Sequence, residues 1–398
     1  MKVNYKGDLL APSGYSRAAR AHMQALLEAG VEISGTINAH DRNRVDLSKH
    51  PFWAGRMKQI VEDPTEAPIR ISQETPEFFD PDPTKYEIAY TVFETSRIPD
   101  VDMGGDPRTN WVTQLNRMSE VWTSSSFCKR VFTDSGVTVP INVFPHPIDL
   151  KEYSPRAPDT DFMDADLKGK MVFLSVFQWS MRKNPLDLLT SWISEFHNQE
   201  DVALILKTYS ADFASADKMV EYIRGTLRLM RVPNRVHNVH LLPDMVPDED
   251  VPDLYRSCDV TVTPSYGEGF GLGAQEGQAC GKPSIYTDAS ALPEFCVGYP
   301  VECDPVPVSG MPHIPWYNAT QDWWRVRPAS LKRAFRQAYN EWKDGTIQGR
   351  GEAARRKVEE LHSFDVVGKA MQARLASIVT DIRATKPEMV ALWPELSE

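Results

Sequence analysis

"TPSYGEGFGLGAQEGQACGKP", residues 263–283, sets four glycines at alternate positions, Gly267, Gly269, Gly271 and Gly273, around two glutamates eight residues apart, Glu268 and Glu276. The preceding "DVTVTPS" alternates valine and threonine and reads as a buried strand, and "LGAQEGQAC" reads as a helix. The glycine-rich turn therefore falls at the carboxyl end of a strand, where open α/β sheets bind ligands. A helix start presents free N–H groups and a partial positive charge, which suits phosphate. No Ser, Thr or Asp stands at 270–273 to cap that start, so a ligand anion would serve instead. Carboxylates accept hydrogen bonds from paired hydroxyls. A phosphate on the backbone with hydroxyls on Glu268 and Glu276 describes a sugar nucleotide. The plainer reading is a glycine-rich turn with two solvated glutamates; the strand–turn–helix setting favours the ligand.

The same alternation of short β-rich runs and amphipathic stretches occurs twice in the 398 residues, as in parallel α/β sheets. In the first half "VNY", "VEISGTI", "IRIS", "EIAYTVF", "EVWTSS" and "INVFPH" are expected strands, with a helix over "YSRAARAHMQALLEAG". Ala18, Ala21, His22, Ala25 and Leu26 share one face of that helix, and Gly30 ends it. In the second half the strands are "MVFLSVF", "VALILKTY", "HNVHLL", "DVTVTPS" and "KPSIYTD", with helices over about 184–198, 213–231, 249–257 and 272–281. Asn184 and Pro185 read as an N-cap and a first-turn proline. The aperiodic, proline- and acid-rich stretch at 148–168 is the expected linker. The chain thus divides into 1–150 and 151–365. A charged helical tail from 328 breaks at Gly345 to Gly351 and near Ser363, and its last helix, within 366–398, joins the first domain.

Composition narrows the function. No apolar run reaches the ~18 residues of a membrane helix, and the N-terminus lacks an apolar core of signal-peptide length, so a cytoplasmic protein without stable membrane association is expected. The five scattered cysteines include no CxxC pair, which indicates neither a zinc site nor a disulfide framework. The Asp-x-Asp strings at 80–82, 159–161, 164–166 and 248–250 fall in loop-like or helix-start stretches and read as solvated acid. A net charge of −11 disfavours broad binding to nucleic acid.

"EGFGLGAQE" is similar to the E-x7-E signature of retaining glycosyltransferases of family 4. "YTVFETSRIP", "EVWTSSSFCKRVFTDSGV" and "VFPHPIDLKEYSP" resemble the end of that family's first domain, "FLSVFQWSMRKNP" the start of its second, and "PSIYTDASALPEF" the segment after the signature helix. The resemblance implies the GT-B fold: two facing Rossmann-like α/β domains with a donor cleft between them. It also implies transfer of a sugar from a nucleotide-sugar donor to an acceptor hydroxyl, with retention, without a metal or other cofactor. Glu276 would hold the ribose hydroxyls and Glu268 the transferred sugar, with Gly269, Phe270, Gly271 and Leu272 near the sugar and phosphates.

The family carries G-R-L-x-x-x-K after the first strand of its second domain. Here Gln178 stands at the Arg position and Lys183 at the Lys position. Lys183 would stabilise the leaving diphosphate, with Arg182 or Lys207 supplying the missing charge. Many members place a histidine of the first domain near the donor sugar; the matching stretch "FETSRIP" offers Glu94 instead. His146 reads as structural. Gly14, opening the first helix, would let the backbone approach donor or acceptor, and Arg17 would assist.

The acceptor stays open between a glycan or small molecule and a hydroxymethylated DNA base. The second rests on "HDRNRVDLSKHPFWAGRMK" (40–58), whose basic residues interleave with Phe52 and Trp53. A nucleotide-sugar epimerase of the same fold and a non-catalytic sugar-nucleotide-binding relative remain as alternatives.

Overall fold

The computed structural model describes every residue except 38–44, 64, 161, 163–166, 200, 210–214, 231–237, 244–245, 312–313 and 397–398. Its contacts divide the chain into two units. One holds residues 1–93, 97–149 and 361–398; the other holds 94–96 and 150–360.

In the first unit β1 (Lys2–Gly7), β2 (Glu32–Ile37), β3 (Ile69–Gln73), β4 (Tyr86–Tyr90), β5 (Glu120–Thr123) and β6 (Ile141–Val143) form one sheet. Their order is β2-β1-β3-β4-β5-β6, and every pairing is parallel. Parallel neighbours need crossovers; here helices supply several of them: α1 (Gly14–Glu28), α2 (Arg56–Glu62), α3 (Trp111–Asn116) and α4 (Ser126–Asp134). The Ser13 side chain accepts from the Ser16 N–H to cap α1, and Gly30 follows it at φ 83°. Ala18, His22, Ala25 and Leu26 are buried on its inner face, while Ala21 is half-buried.

In the second unit β7 (Met171–Gln178), β8 (Val202–Tyr209), β9 (Val239–Leu242), β10 (Val260–Thr263), β11 (Ser284–Thr287) and β12 (Gly298–Val301) form a second sheet. It runs β9-β8-β7-β10-β11-β12, again all parallel. The strand order reverses between β7 and β10, so their carboxyl ends frame a topological switch point. The helices here are α5 (Pro185–Phe196), α6 (Ala216–Leu229), α7 (Val251–Arg256), α8 (Leu272–Ala279), α9 (Pro328–Lys343) and α10 (Ile347–His362). α5 and α9 cover one face through an aromatic cluster, with Trp192 at ring-centroid distances of 5.1 Å from Phe173 and 5.4 Å from Phe335.

The C-terminal helices α11 (Phe364–Thr385) and α12 (Pro387–Leu392) complete the first unit. Ser363 caps α11. Val367, Met371, Leu375, Ile378 and Ile382 recur at helical spacing and are buried in the core shared with β1 and α1. Arg374 adds a polar tie: its guanidinium reaches Glu120 of β5 at 2.5 Å, a fully buried carboxylate that also accepts from Trp122 and Tyr86.

Several expectations are corrected. The glycines at 345–351 do not all break the helix. Only Gly345 takes a positive φ, and Gly349 and Gly351 lie inside α10, because tertiary packing overrides weak propensity. Asn184 occupies the N-cap position of α5 without capping it; its backbone is left-handed and its amide donates to the Pro264 carbonyl at 3.1 Å. An antiparallel hairpin, β13 (Cys303–Pro307) with β14 (Asp322–Val326), was not anticipated. In the basic segment 40–58, Trp53 is 3% exposed in the first core, so it offers no face for stacking on a base. Phe52 is half-buried with the Arg56 guanidinium 3.9 Å from its ring centre, and residues 40–44 lie outside the described residues. Among the described residues no helix is long and apolar enough to cross a membrane.

Because Leu375 is fully buried, Leu375→Ala is expected to lower the unfolding free energy by about 2–5 kcal/mol through lost burial and the cavity left behind. A denaturant midpoint equal to that of the wild type would show that α11 does not support the core.

Candidate functional site

The loops after β7 and β10 meet at the switch point of the second unit. After β7 the chain turns through a short 3-10 segment, Met181–Lys183, directly before α5. After β10 it runs through Pro264–Phe270 to Gly271, the N-cap position of α8. Two bonds stitch the loops together: Asn184 to the Pro264 carbonyl, and the Tyr266 N–H to the Arg182 carbonyl at 2.7 Å. The loop after β11 joins them, since the Ser290 hydroxyl accepts from the Glu268 N–H at 3.1 Å and the Ala291 N–H donates to the Glu268 carbonyl at 3.2 Å.

Glu268 is the centre of the charged network. Lys183 Nζ lies 2.5 Å from its Oε1, and Arg182 reaches its Oε2 at 3.2 Å. Arg182 also donates to the Gly267 carbonyl at 2.8 Å and pairs with Glu94 at 3.3 Å. Tyr317, between β13 and β14, donates to the other oxygen of Glu94 at 2.9 Å. Glu94 packs with the second unit because residues 94–96 do. Gly267 makes the approach possible: a Cβ there would lie 2.0 Å from the Glu94 carbonyl oxygen.

Burial alone would raise the Glu268 pKa, but Lys183 and Arg182 outweigh it and hold the carboxyl down to about 2. For Lys183, burial and the neighbouring guanidinium pull the ammonium below its ordinary value. The reverse holds for Arg182: burial opposes its charge, yet Glu94, Tyr317 and Glu268 raise its pKa further.

The start of α8 completes the site. Gly271 takes φ 108° and brings no side chain to cap the helix; the Ala274 and Gln275 N–H groups turn back to its carbonyl, which leaves the start at Leu272 and Gly273 without a side-chain cap. Glu276 lies one turn further along and is buried. Gly269 and Phe270 are buried too, and the Phe270 ring stacks on Phe295 with centroids 5.0 Å apart. Leu272 is half-buried as the first residue of α8. Lys207 is buried on β8, two residues before its end, with its ammonium 5.9 Å from the Tyr209 ring centre. Gln178 ends β7 and is exposed. Gly14 is the first residue of α1, in the other unit. The buried His146 belongs there as well, its Nδ1 3.3 Å from the Tyr90 hydroxyl. Among the described residues no group of three or more His, Cys, Asp or Glu side chains is placed to hold a metal ion.

Sequence reading missed Tyr317 and Ser290. The aromatic-rich run "IPWYNATQDWW" (314–324) was the available signal for the first; Ser290, with φ 57°, had none.

Residues 169–302, which carry Lys183, Glu268 and Glu276, match the family model of glycosyl transferases group 1. O-antigen chain mannosyltransferase B of Escherichia coli is 34% identical over 103 residues, 26% of this chain and 27% of its own length. The chain thus matches about a quarter of the length of that relative. Structural likeness extends much further. Anabaena HepE, solved in complex with UDP and glucose, gives a TM-score of 0.60 at 15% identity, covering 95% of this chain and 100% of its own. Sucrose-phosphate synthase of Thermosynechococcus elongatus gives 0.64 at 15% identity, covering 96% and 99%. The fold is that of the GT-B glycosyltransferases, with two parallel-sheet α/β units.

With its pKa held near 2 against an ordinary 4.5, Glu268 contributes stability that is complete above about pH 4.5 and is lost as pH falls towards 2. Glu268→Gln, which has no carboxyl to protonate there, is expected to lose less stability than the wild type over that interval. Parallel acid-unfolding curves for the two proteins would show that Glu268 is not held ionised.

Proposed function

We propose that this chain is a retaining, metal-independent glycosyltransferase that moves a sugar from a nucleotide-sugar donor to an acceptor hydroxyl. The observation that carries the reading is the ionised Glu268, held by Lys183 and Arg182 beside the uncapped start of α8 at the switch point. The match to glycosyl transferases group 1 spans these residues, and the structurally similar HepE was solved with UDP and glucose.

In this reading Glu276 accepts hydrogen bonds from the ribose hydroxyls and Glu268 from the transferred sugar. The backbone at Gly269–Leu272 faces the sugar and phosphates. Lys183 and the helix start take up the negative charge that grows on the leaving diphosphate, so they bind the transition state more strongly than the ground state. Lys207 adds positive charge nearby. As the bond from the sugar carbon to the phosphate oxygen breaks, the acceptor oxygen bonds to that carbon from the same face. The acceptor proton passes to the departing phosphate oxygen. Two side-chain cations and a helix end thus supply the charge that a divalent metal would otherwise bring. For the acceptor, a hydroxyl of a glycan or small molecule is favoured over DNA, because residues 1–150 are net acidic and Trp53 is buried.

The deciding experiment screens UDP-, GDP- and ADP-sugars by mass spectrometry, first alone and then with acceptor pools. Acceptor-dependent sugar transfer supports the proposal. Isomerisation of the donor without an acceptor would instead show an epimerase. Glu276→Ala is expected to weaken binding of the donor's nucleoside diphosphate by roughly ten- to a hundredfold, since one charge-assisted hydrogen bond is worth ~1.5–3 kcal/mol. Unchanged affinity in calorimetry would remove Glu276 from the ribose site. Transfer is also expected to survive EDTA; loss of activity restored by magnesium or manganese would overturn the metal-free mechanism.

A further inference from the structure

The charged cluster is formally neutral: two cations, Arg182 and Lys183, against two carboxylates, Glu94 and Glu268. A diphosphate arriving at such a cluster needs a cation that the cluster can release. The two cations differ in what holds them. Arg182 is fixed by three acceptors on two segments, the Gly267 carbonyl and Glu268 of one loop and Glu94 of another. Its planar fork cannot swing to a new partner without breaking several of these bonds. Lys183 is a point charge on a flexible stem, with Glu268 as its side-chain partner. Its side chain is 20% exposed, against 15% for Arg182.

Behind Arg182 the network continues. Tyr317 donates to Glu94, and its ring packs against Trp323, with centroids 5.3 Å apart. Trp323 on β14 is 1% exposed and also contacts the Tyr266 ring. The backbone of the same hairpin is tied to the site loops: the Trp324 N–H donates to the Tyr266 carbonyl at 2.7 Å, and the Ser96 N–H donates to the Asp322 carbonyl at 3.0 Å. The β13–β14 hairpin therefore grips the segment that carries Glu94 and the loop that carries Glu268.

We propose that Arg182, anchored through Glu94 to Tyr317 of the hairpin, is the positioning cation of Glu268, and that Lys183 is a stored cation that leaves Glu268 for the phosphates of a nucleoside diphosphate. The proposal rests on the nucleotide-sugar reading and assigns the division of labour within it. A buried carboxylate that lost both cations would take up a proton. Arg182 prevents this when Lys183 moves, so Glu268 stays ionised and oriented to accept the sugar hydroxyls. Arg182 then acts on Glu268 and not on the phosphates. Glu94 and Tyr317 are positioning residues that need not touch the substrate.

Two measurements test it. The first needs no ligand: 13C-carboxyl NMR of labelled glutamate, with Glu268 assigned through Glu268→Gln. In Lys183→Met, the Glu268 signal is expected to stay ionised at pH 5.5. In Lys183→Met/Tyr317→Phe, whose second change removes a single hydroxyl, the midpoint is expected to rise by about one pH unit. A Glu268 already protonated at pH 5.5 in Lys183→Met, or no shift on adding Tyr317→Phe, overturns the relay. The second is calorimetry with UDP, GDP and ADP and with their glucose and mannose conjugates. In Arg182→Met the nucleoside diphosphate that binds the wild type is expected to keep its affinity within about threefold, while the corresponding nucleotide-sugar loses tenfold or more. A tenfold loss for the diphosphate itself would place Arg182 on the phosphates and overturn the assignment. If none of these ligands binds the wild type, the nucleotide-sugar reading fails, and the NMR titration decides the Arg182 relay by itself.

Discussion

A glutamate with 8% of its side chain exposed stays ionised only where cations or hydrogen-bond donors replace the water it has lost, and for Glu268 the two cations Lys183 and Arg182 weigh most. That constraint organises the second unit. Glu268 follows β10, its cations follow β7, and the two strands are neighbours in the sheet only because the strand order reverses there. Moving either loop would leave buried charge unpaired, which costs far more than the pair contributes. The stitching bonds of Asn184, Tyr266 and Ser290 fix the loops around the charge cluster.

The chain uses glycine and helix geometry to the same end. Gly267 admits the Glu94 backbone, and Gly271 turns the chain into α8 at a φ that other residues rarely adopt. An uncapped helix start then lies next to a carboxylate held by two cations. Positive potential and a hydroxyl acceptor are thereby available within one loop, a combination that suits a phosphorylated sugar better than either ligand half alone.

Much of the fold was legible in the sequence because parallel α/β sheets leave a strong periodic trace. Every strand from β1 to β11 coincides with a β-rich run read from the sequence, since most are largely buried and rich in Val, Ile, Leu or aromatic residues. The hairpin left no such trace. β13, "CDPVP", carries two prolines and is mostly exposed, and its pairing with β14 depends on a partner some twenty residues away. The glycines at 349 and 351 misled for a related reason: propensity is a local quantity, whereas the helix through them is held by tertiary packing.

The sequence by itself determined the strand–turn–helix element with Glu268 and Glu276, because spacing along one element and one loop fixes those positions; Lys183 came from the resemblance to G-R-L-x-x-x-K, and its pairing with Glu268 from the fold. Only the tertiary structure decided how the charges are shared. Glu94 and Arg182 are separated by 88 positions, and Glu94 and Tyr317 by 223; no local pattern relates them. Trp53 shows the same limit in reverse. It lies in a stretch, 40–58, rich in basic residues, but packing placed its ring in the core. Burial and ion pairing are properties of the folded neighbourhood, and there a side chain's partners come from distant strands brought side by side.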